Sequence, residues 1–466
     1  MIETSKKQNK SLMHVVSLIG SSIISIVLNL IIGFIIPKYI SYSDYSSYKI
    51  FTFYIGFIPI LHLGIIDGVL LKYSKFSIDE ILKVNFKKLI NQLYVFQLLF
   101  SIVFLLVSIT MLNMSFQYIA VILAIPFVNI FGLYSKLLII YNKFKIIALV
   151  NIVQKIITVI AIGVMYILGI SNYSLLVIAF FVAYIIQIGV SRIACKELFE
   201  NSKTEDIRLL DSIKVGFPII ISYFISTLIL GLDRMFIERM SIEYDYAMYS
   251  FAYSMITIVL TIFNSINSIS FSYIMRIGSE RRDRIYNIFG NTINFLMITL
   301  SLGLVLIIPL VKFIIPNYFD SIQYFYFLYP IVFLRIDYSL RLWPYMNALN
   351  MGRQILLINI GILIISFILN YCVLYFKLPI IYYALMTVVS LLFWNYILDW
   401  NIKKVSSINK DNSNILRVVF ISVILITYFN LDLKYYMFLI VTSILLNIKY
   451  LKYDLRKIID IYKVVR

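Results

Sequence analysis

Leu89–Ser135, LINQLYVFQLLFSIVFLLVSITMLNMSFQYIAVILAIPFVNIFGLYS, runs for 47 residues without one charged side chain. Crossing the hydrocarbon of a bilayer takes about 20 apolar residues in a helix, so this stretch holds two crossings and a short turn. Lipid offers the backbone no hydrogen-bond partner, which leaves helices and closed barrels as the spanning structures. Unbroken apolar runs, as opposed to alternating ones, select helices. The rest of the chain extends the pattern: 61% of its 466 residues are apolar, 14% are charged, and the mean hydropathy is +0.93. A soluble domain carries about 45–50% apolar residues, so lipid is the solvent that suits this surface.

Outward from that stretch, apolar segments of spanning length fall at 14–36, 50–70, 147–169 and 173–194, which with 89–111 and 116–139 make six. Residues 195–214, CKELFENSKTEDIRLLDSIK, mix both charge signs and interrupt the series. A second six follows at 215–237, 246–271, 286–311, 322–343, 354–376 and 379–399, then a pair at 414–430 and 434–451. The expected architecture is an all-α polytopic membrane protein of about 14 transmembrane helices. Its parts are an N-terminal lobe at 1–194, a cytoplasmic inter-lobe loop at 195–214, a C-terminal lobe at 215–404, and a terminal span pair with a cytoplasmic tail at 405–466. The apolar segment behind MIETSKKQNK is too long for a signal-peptide core and lacks a small-residue cleavage site, so it is expected to stay as the first span.

A net charge of +18 would suggest nucleic acid in a soluble chain. Its placement argues otherwise. With the amino terminus inside, roughly 31 Lys and Arg fall in cytoplasmic segments and about 6 outside, namely Lys38, Lys49, Arg239, Lys312, Lys377 and Lys434. The positive-inside bias thus accounts for the charge without nucleic acid and puts both termini in the cytoplasm. Cys195 and Cys372 form neither a disulfide framework nor a metal motif, His14 and His62 are the only histidines, and no metal or cofactor is expected.

Two short repeats stand at similar offsets. Ser41–Tyr48, SYSDYSSY, and Ser241–Tyr249, SIEYDYAMY, share Asp-Tyr-x-x-Tyr, with Asp44 and Asp245 201 positions apart. Leu149–Ile152, LVNI, and Leu357–Ile360, LINI, place Asn151 and Asn359 208 apart. Six spans is an even number, so both copies enter the membrane from the same side, as two parallel-repeat six-helix lobes would.

Residues 37–75, PKYISYSDYSSYKIFTFYIGFIPILHLGIIDGVLLKYSK, resemble the amino-terminal signature of the polysaccharide flippases, the Wzx-type exporters of the multidrug/oligosaccharidyl-lipid/polysaccharide superfamily. Residues 216–254, GFPIIISYFISTLILGLDRMFIERMSIEYDYAMYSFAYS, look like the corresponding start of a second half, and Asn359–Ser390 are similar to the family's eleventh and twelfth spans. One departure concerns the acidic-aromatic turn, where the family commonly has Gly and this chain has Ser46 and Ala247. The resemblance implies a V-shaped transporter of two lobes that flips saccharides carried on a polyprenyl diphosphate.

Ionisable groups inside the bilayer cost about 2.5–3.5 kcal/mol on insertion scales, so those present are the first functional candidates. With the cations near other span ends counted to the adjoining loops, four remain assigned to expected spans: Lys155, Arg234, Arg335 and Arg341. Lys155, Arg335 and Arg341 are candidates for holding a diphosphate, and a guanidinium can do so through two parallel hydrogen bonds. Asp337 and Arg341, spaced i,i+4 in FLRIDYSLRLWP, can also pair within the helix. Asp233 and Asp337 are candidates for a coupling proton or sodium ion. Asp67, Asp399 and His62 are weaker candidates, a lone histidine being more often structural. Gly56, Pro59, Pro126 and Pro330 fall inside spans and favour bends there, which either suit alternating access or reflect static packing.

The expected function is transfer of a polyprenyl-diphosphate-linked oligosaccharide across the cytoplasmic membrane for capsule, exopolysaccharide or O-antigen-type export, coupled to an ion gradient. Glycosyltransferases and a polysaccharide polymerase are its expected partners beside membrane lipid. A lipid II flippase and a multidrug or cation antiporter of the same superfamily are the alternatives. An enzyme such as a polymerase fits less well, because the external loops are short and no His, Glu and Arg constellation stands out. No phosphate-cradling Gly-rich P-loop motif is present, which argues against ATP-driven pumping by this chain alone.

Overall fold

The structure, a computed structural model, describes residues 24–406 apart from 75, 77, 113, 201–206, 277 and 301. The expected terminal span pair, the cytoplasmic tail, the start of the first span and the middle of the 195–214 loop lie outside the described residues. Every regular element among those described is a helix. By contact the chain divides into two compact units, residues 1–228 and 229–466, so that the first helix after the 195–214 loop closes the first unit.

The first unit contains α1 (Ile24–Tyr39), α2 (Tyr42–Ile55), α3 (Ile65–Tyr73), α4 (Ile78–Leu82), α5 (Phe86–Val107), α6 (Phe116–Ile140), α7 (Phe144–Leu168), α8 (Ser174–Ala194), α9 (Glu197–Glu200) and α10 (Leu209–Ile229). The second contains α11 (Leu232–Met240), α12 (Glu243–Arg276), α13 (Ser279–Leu300), α14 (Leu302–Ile314), α15 (Ser321–Leu328), α16 (Pro330–Asp337), α17 (Trp343–Ala348), α18 (Gly352–Tyr375) and α19 (Ile381–Val405). Among the described residues, seven helices are long and apolar enough to cross a membrane on their own, and α2 with α3, bent by 63°, makes an eighth if the pair is counted as one span. The chain is therefore a multi-pass membrane protein. Helix starts recur along it: α2 begins at Tyr42 and α12 at Glu243, 201 positions on. Phe144 of α7 precedes Gly352 of α18 by 208, and Ser174 of α8 precedes Ile381 of α19 by 207.

The repeated turn keeps its local environment. Tyr45 and Tyr246 are both buried, and so are Ser46 and Ala247. These two small side chains sit in helical backbone, which explains why the glycine common in the family is dispensable here. Ser41 caps α2, its Oγ accepting from the Asp44 N–H at 3.1 Å, and Asp44 complements the helix dipole. The asparagines of the second repeat differ in surroundings. Asn151 is exposed, whereas Asn359 is buried and accepts from Trp394 Nε1 at 2.9 Å.

Side chains are distributed inside out relative to a soluble protein. Leu99, Ile102, Val103 and Leu106 on α5 and Ile156, Ile160 and Ile167 on α7 face outward, as does Ile364 on α18. Gln97, Ser101, Asn129, Gln187, Asn359, Ser366, Asn370 and Asn395 are buried between helices. In lipid this is the stable arrangement, since apolar burial between helices gains little and hydrogen bonds across them replace it.

Three of those polar residues, Gln97, Ser101 and Asn129, serve backbone that lacks its helical hydrogen bonds. After α2 the chain turns at Gly56, passes a 3₁₀ turn at Ile58–His62, and takes left-handed backbone at Leu63 (φ 51°) and Gly64 (φ 83°) before α3 resumes. The freed Leu61 carbonyl accepts from Gln97 Nε2 at 3.1 Å, while Gln97 Oε1 accepts from Asn129 Nδ2 at 2.7 Å. At Pro126 α6 stays continuous. Proline supplies no N–H to the Ile122 carbonyl four residues back, and Ser101 Oγ of α5 donates to it instead, at 2.9 Å. At Pro330 α15 passes directly into α16, proline occupying the first helical position where its missing N–H costs least. Of the expected bends, the one at Gly56 and Pro59 is large.

Within the first unit α3 meets α10 backbone to backbone. A Cβ on Gly68 would lie 2.0 Å from the Ser212 carbonyl oxygen, and one on Gly216 would lie 1.9 Å from that of Gly64. Gly64 and Gly68 on one helix and Ser212 and Gly216 on the other form paired small-xxx-small edges, the pattern that allows close helix approach in lipid.

Candidate functional site

In the second unit, α16 runs through a π turn at Tyr338–Leu342 into α17, and the Trp343 N–H reaches back to the Tyr338 carbonyl. On this stretch Asp337 and Arg341 pair as their spacing allows. Arg341 Nε donates to Asp337 Oδ1 at 2.6 Å and Nη2 to Oδ2 at 2.9 Å. The third nitrogen, Nη1, donates to Asp399 Oδ1 of α19 at 3.0 Å. Asp399 also accepts from Tyr286 Oη of α13 and pairs through Oδ2 with Lys403 Nζ at 2.8 Å, one helical turn on. The Arg341 guanidinium lies 4.4 Å over the Tyr286 ring. Two carboxylates and two cations thus close on themselves with no net charge, and Asp337, Arg341 and Asp399 are each no more than 2% exposed. Burying such a set is tolerable only because each charge is paired and hydrogen-bonded. Arg341 has all three nitrogens on carboxylates and Asp337 has both oxygens on Arg341, which makes the cluster a lock between α13, α16 and α19.

A second cluster forms where the helix expected at 215–237 is interrupted. α10 ends at Ile229, Gly231 takes the N-cap position, and α11 starts at Leu232 with Asp233 in its first turn. Asp233 is fully buried, accepting from Tyr249 Oη at 2.6 Å and from the Arg234 backbone N–H at 2.7 Å. Tyr249 is the last aromatic of the second Asp-Tyr-x-x-Tyr. The Arg234 guanidinium lies 3.8 Å over the Tyr253 ring and donates through Nη2 to the Leu230 carbonyl at 3.2 Å. Arg335 lies 5.1 Å from the Tyr338 ring, and its buried Nη1 has no hydrogen-bond partner among the described residues. Each guanidinium thus lies against a tyrosine ring, and Arg335 keeps donor capacity to spend on an anion.

Lys155 belongs to the first unit, half-buried on α7, with Nζ donating to the Ser25 carbonyl of α1 at 3.4 Å. His62 is buried at the α2–α3 break, where Nδ1 accepts from the Gly64 N–H at 3.1 Å and Nε2 lies 3.8 Å from Asp67 Oδ2. Its role there is to hold a left-handed turn. No group of three His, Cys, Asp or Glu that could hold a metal occurs among the described residues. Three partners escaped the sequence analysis: Tyr286, Tyr253 and Lys403. Only Lys403 carried a signal, its i,i+4 spacing from Asp399.

The comparisons with known proteins agree with this picture. Residues 9–278 match the family model described as polysaccharide biosynthesis protein. No curated protein sequence is significantly similar to the chain. Among solved structures, lipid II flippase MurJ in an inward closed conformation has 15% identity and a TM-score of 0.69, covering 98% of this chain and 100% of that one. A MATE-family multidrug resistance transporter of the MOP superfamily has, in its inward-facing conformation, 11% identity and a TM-score of 0.63 over 84% of this chain and 98% of that one. The outward-facing conformation of a multidrug resistance MATE-family transporter gives 12% identity and a TM-score of 0.57 over 84% of this chain and 94% of that one. At these identities the likeness is one of fold, and the fold is that of membrane transporters. Since the family model covers more than half of its length, and the signature at 37–75 points the same way, the chain belongs to the polysaccharide biosynthesis protein family, and its fold is the one that the MurJ and MATE structures share.

Proposed function

We propose that the chain flips a polyprenyl-diphosphate-linked oligosaccharide across the cytoplasmic membrane, for export as capsule, exopolysaccharide or an O-antigen-type polymer. Transport proceeds by alternating access driven by a proton or sodium gradient, with both termini in the cytoplasm. Glycosyltransferases supply the substrate and a polymerase consumes it. Family membership supports the polysaccharide pathway, and the likeness to MurJ and MATE structures supports transport as the activity. The observation that carries the choice of substrate is Arg335, a guanidinium inside the membrane with an unpartnered buried nitrogen. Diphosphate oxygens complete its hydrogen bonding, whereas a cationic drug would be repelled. Lys155 offers a second cation during passage, and Asp233 takes the coupling ion.

The test replaces Lys155 and Arg335 by Ala, singly and together, and measures polysaccharide export at matched membrane abundance. Export should fall at least tenfold in the double variant. Unchanged export in all three would overturn the assignment of these cations.

A second reading, a lipid II flippase, is favoured by one observation: the MurJ likeness covers 98% of this chain against 84% for the MATE structures. Complementation separates the two. Rescue of a strain depleted of its lipid II flippase, with no rescue of one lacking its polysaccharide flippase, would select the second.

A further inference from the structure

The first unit carries a groove of about 830 Å³ between α5, α6 and α8 that is apolar along most of its length and basic at one end. Leu98, Phe127 and Ile188 line the apolar part, and Lys87, Arg192 and Lys196 ring the other. Among the described residues, no aspartate or glutamate contributes to its wall. Lys87 stands in the first turn of α5, Arg192 in the last turn of α8, and Lys196 just beyond it, so the three cations gather at one membrane face. Lys87 and Arg192 make no ion pair among the described residues. Leu98 is eleven positions along α5 from Lys87, or about 16 Å at 1.5 Å per residue. That is close to half of a hydrocarbon core about 30 Å thick, so the groove is one leaflet deep.

We infer that this groove binds an anionic phospholipid of the leaflet at its basic end, with the phosphate among Lys87, Arg192 and Lys196 and an acyl chain along Leu98, Phe127 and Ile188. Charge complementarity selects an anionic headgroup, and basic pockets between transmembrane helices are known to take phosphate-bearing lipids. The depth selects an acyl chain over a long polyprenyl tail. The site is independent of what the protein transports.

Native mass spectrometry of the full-length protein in detergent, with phosphatidylglycerol or phosphatidylcholine added, tests the inference. Phosphatidylglycerol should be retained and phosphatidylcholine lost. A variant with Lys87→Gln, Arg192→Gln and Lys196→Gln should bind phosphatidylglycerol on the order of 100-fold more weakly, at about fivefold per cation. A control with Lys38→Gln, Lys312→Gln and Lys377→Gln should bind as the parent does. Leu98→Trp, which fills the apolar end and leaves every charge in place, should also lose the lipid. Equal retention of both lipids, or equal binding by the parent and the first triple variant, would overturn the inference. So would displacement of phosphatidylglycerol by undecaprenyl diphosphate at a tenth of its concentration, since the occupant would then be a carrier lipid.

Discussion

Replacing Arg341 by Met removes three charge-assisted hydrogen bonds, of 2.6, 2.9 and 3.0 Å, and leaves Asp337 and Asp399 buried with Lys403 as the one remaining cation of the cluster. Removing one partner of a buried ion pair costs about 3–5 kcal/mol, because the surviving charge cannot be solvated. For a unit of about 200 residues each kcal/mol is worth roughly 2–4 °C, so the variant should melt on the order of 10 °C below the parent. The double variant Asp337→Leu, Arg341→Met removes the orphan as well and keeps the Asp399 pairing with Lys403 and Tyr286. It should regain at least half of the loss. Melting followed by fluorescence-detected size exclusion in detergent reads both shifts. A single variant within about 2 °C of the parent, or a double variant as unstable as the single, would refute the lock. Export by the double variant adds a second readout. If melting recovers and export does not, Arg341 or Asp337 takes part in transport itself, as a substrate contact or a coupling-ion site.

Three further outcomes follow from packing. Ser101→Ala should cost about 1 kcal/mol by orphaning the Ile122 carbonyl, and should cost nothing in a Pro126→Ala background, where the restored N–H takes that carbonyl; thermal melting in a double-mutant cycle checks the coupling. Gly68→Val should abolish recovery of folded protein, because its Cβ would meet the Ser212 carbonyl oxygen at 2.0 Å, whereas Gly163→Ala, with no atom within 4 Å, should melt as the parent does. Burial pushes the Cys195 thiol, at the end of α8, up to about 12, which leaves about one thiolate in 10⁴ at pH 8. In a Cys372→Ala background, maleimide should label Cys195 only after denaturation, and rapid labelling of the native protein at pH 8 would contradict that burial.

The spans were legible because the bilayer fixes their length: among the described residues, those expected at 89–111, 116–139, 147–169, 173–194, 354–376 and 379–399 each coincide with one apolar helix of spanning length. Breaks were less so. Gly56 and Pro59 announced the turn before α3, but the interruption at Leu230–Gly231 sits in LILGLDR, where continuous hydrophobicity outweighs a single glycine. The Asp337–Arg341 pair could be read from i,i+4 spacing, a property of one helix. Its partners Asp399 and Tyr286 lie 58 and 55 positions from Arg341, and no local pattern records that proximity. A search restricted to ionisable groups also passes over Gln97, Ser101 and Asn129, uncharged side chains that satisfy the backbone where helices are interrupted.

The interruption after α10 shows how one missing backbone bond builds a site. In a continuous helix the Arg234 N–H would donate to the Leu230 carbonyl four residues back. Here that N–H donates to Asp233 Oδ1, and the Leu230 carbonyl accepts from Arg234 Nη2 at 3.2 Å and Tyr253 Oη at 3.4 Å. The break therefore turns the Asp233 carboxylate inward and fixes the Arg234 guanidinium over Tyr253 at once. Structural and coupling roles for Asp233 can be separated on this basis. Asp233→Asn keeps one oxygen to accept from the Arg234 N–H, and its amide N–H can donate to Tyr249 Oη in place of the bond that Oδ2 accepts, so it should fold and reach the membrane as the parent does. It cannot exchange a proton or neutralise a sodium ion, so transport in liposomes should lose its dependence on the coupling gradient. Asp233→Leu removes the acceptor, orphans a buried N–H and a buried hydroxyl, and should cost about 2 kcal/mol or more. If Asp233→Asn transports with the parent's pH and sodium dependence, the carboxylate serves only to mend the helix break, and the coupling ion binds elsewhere.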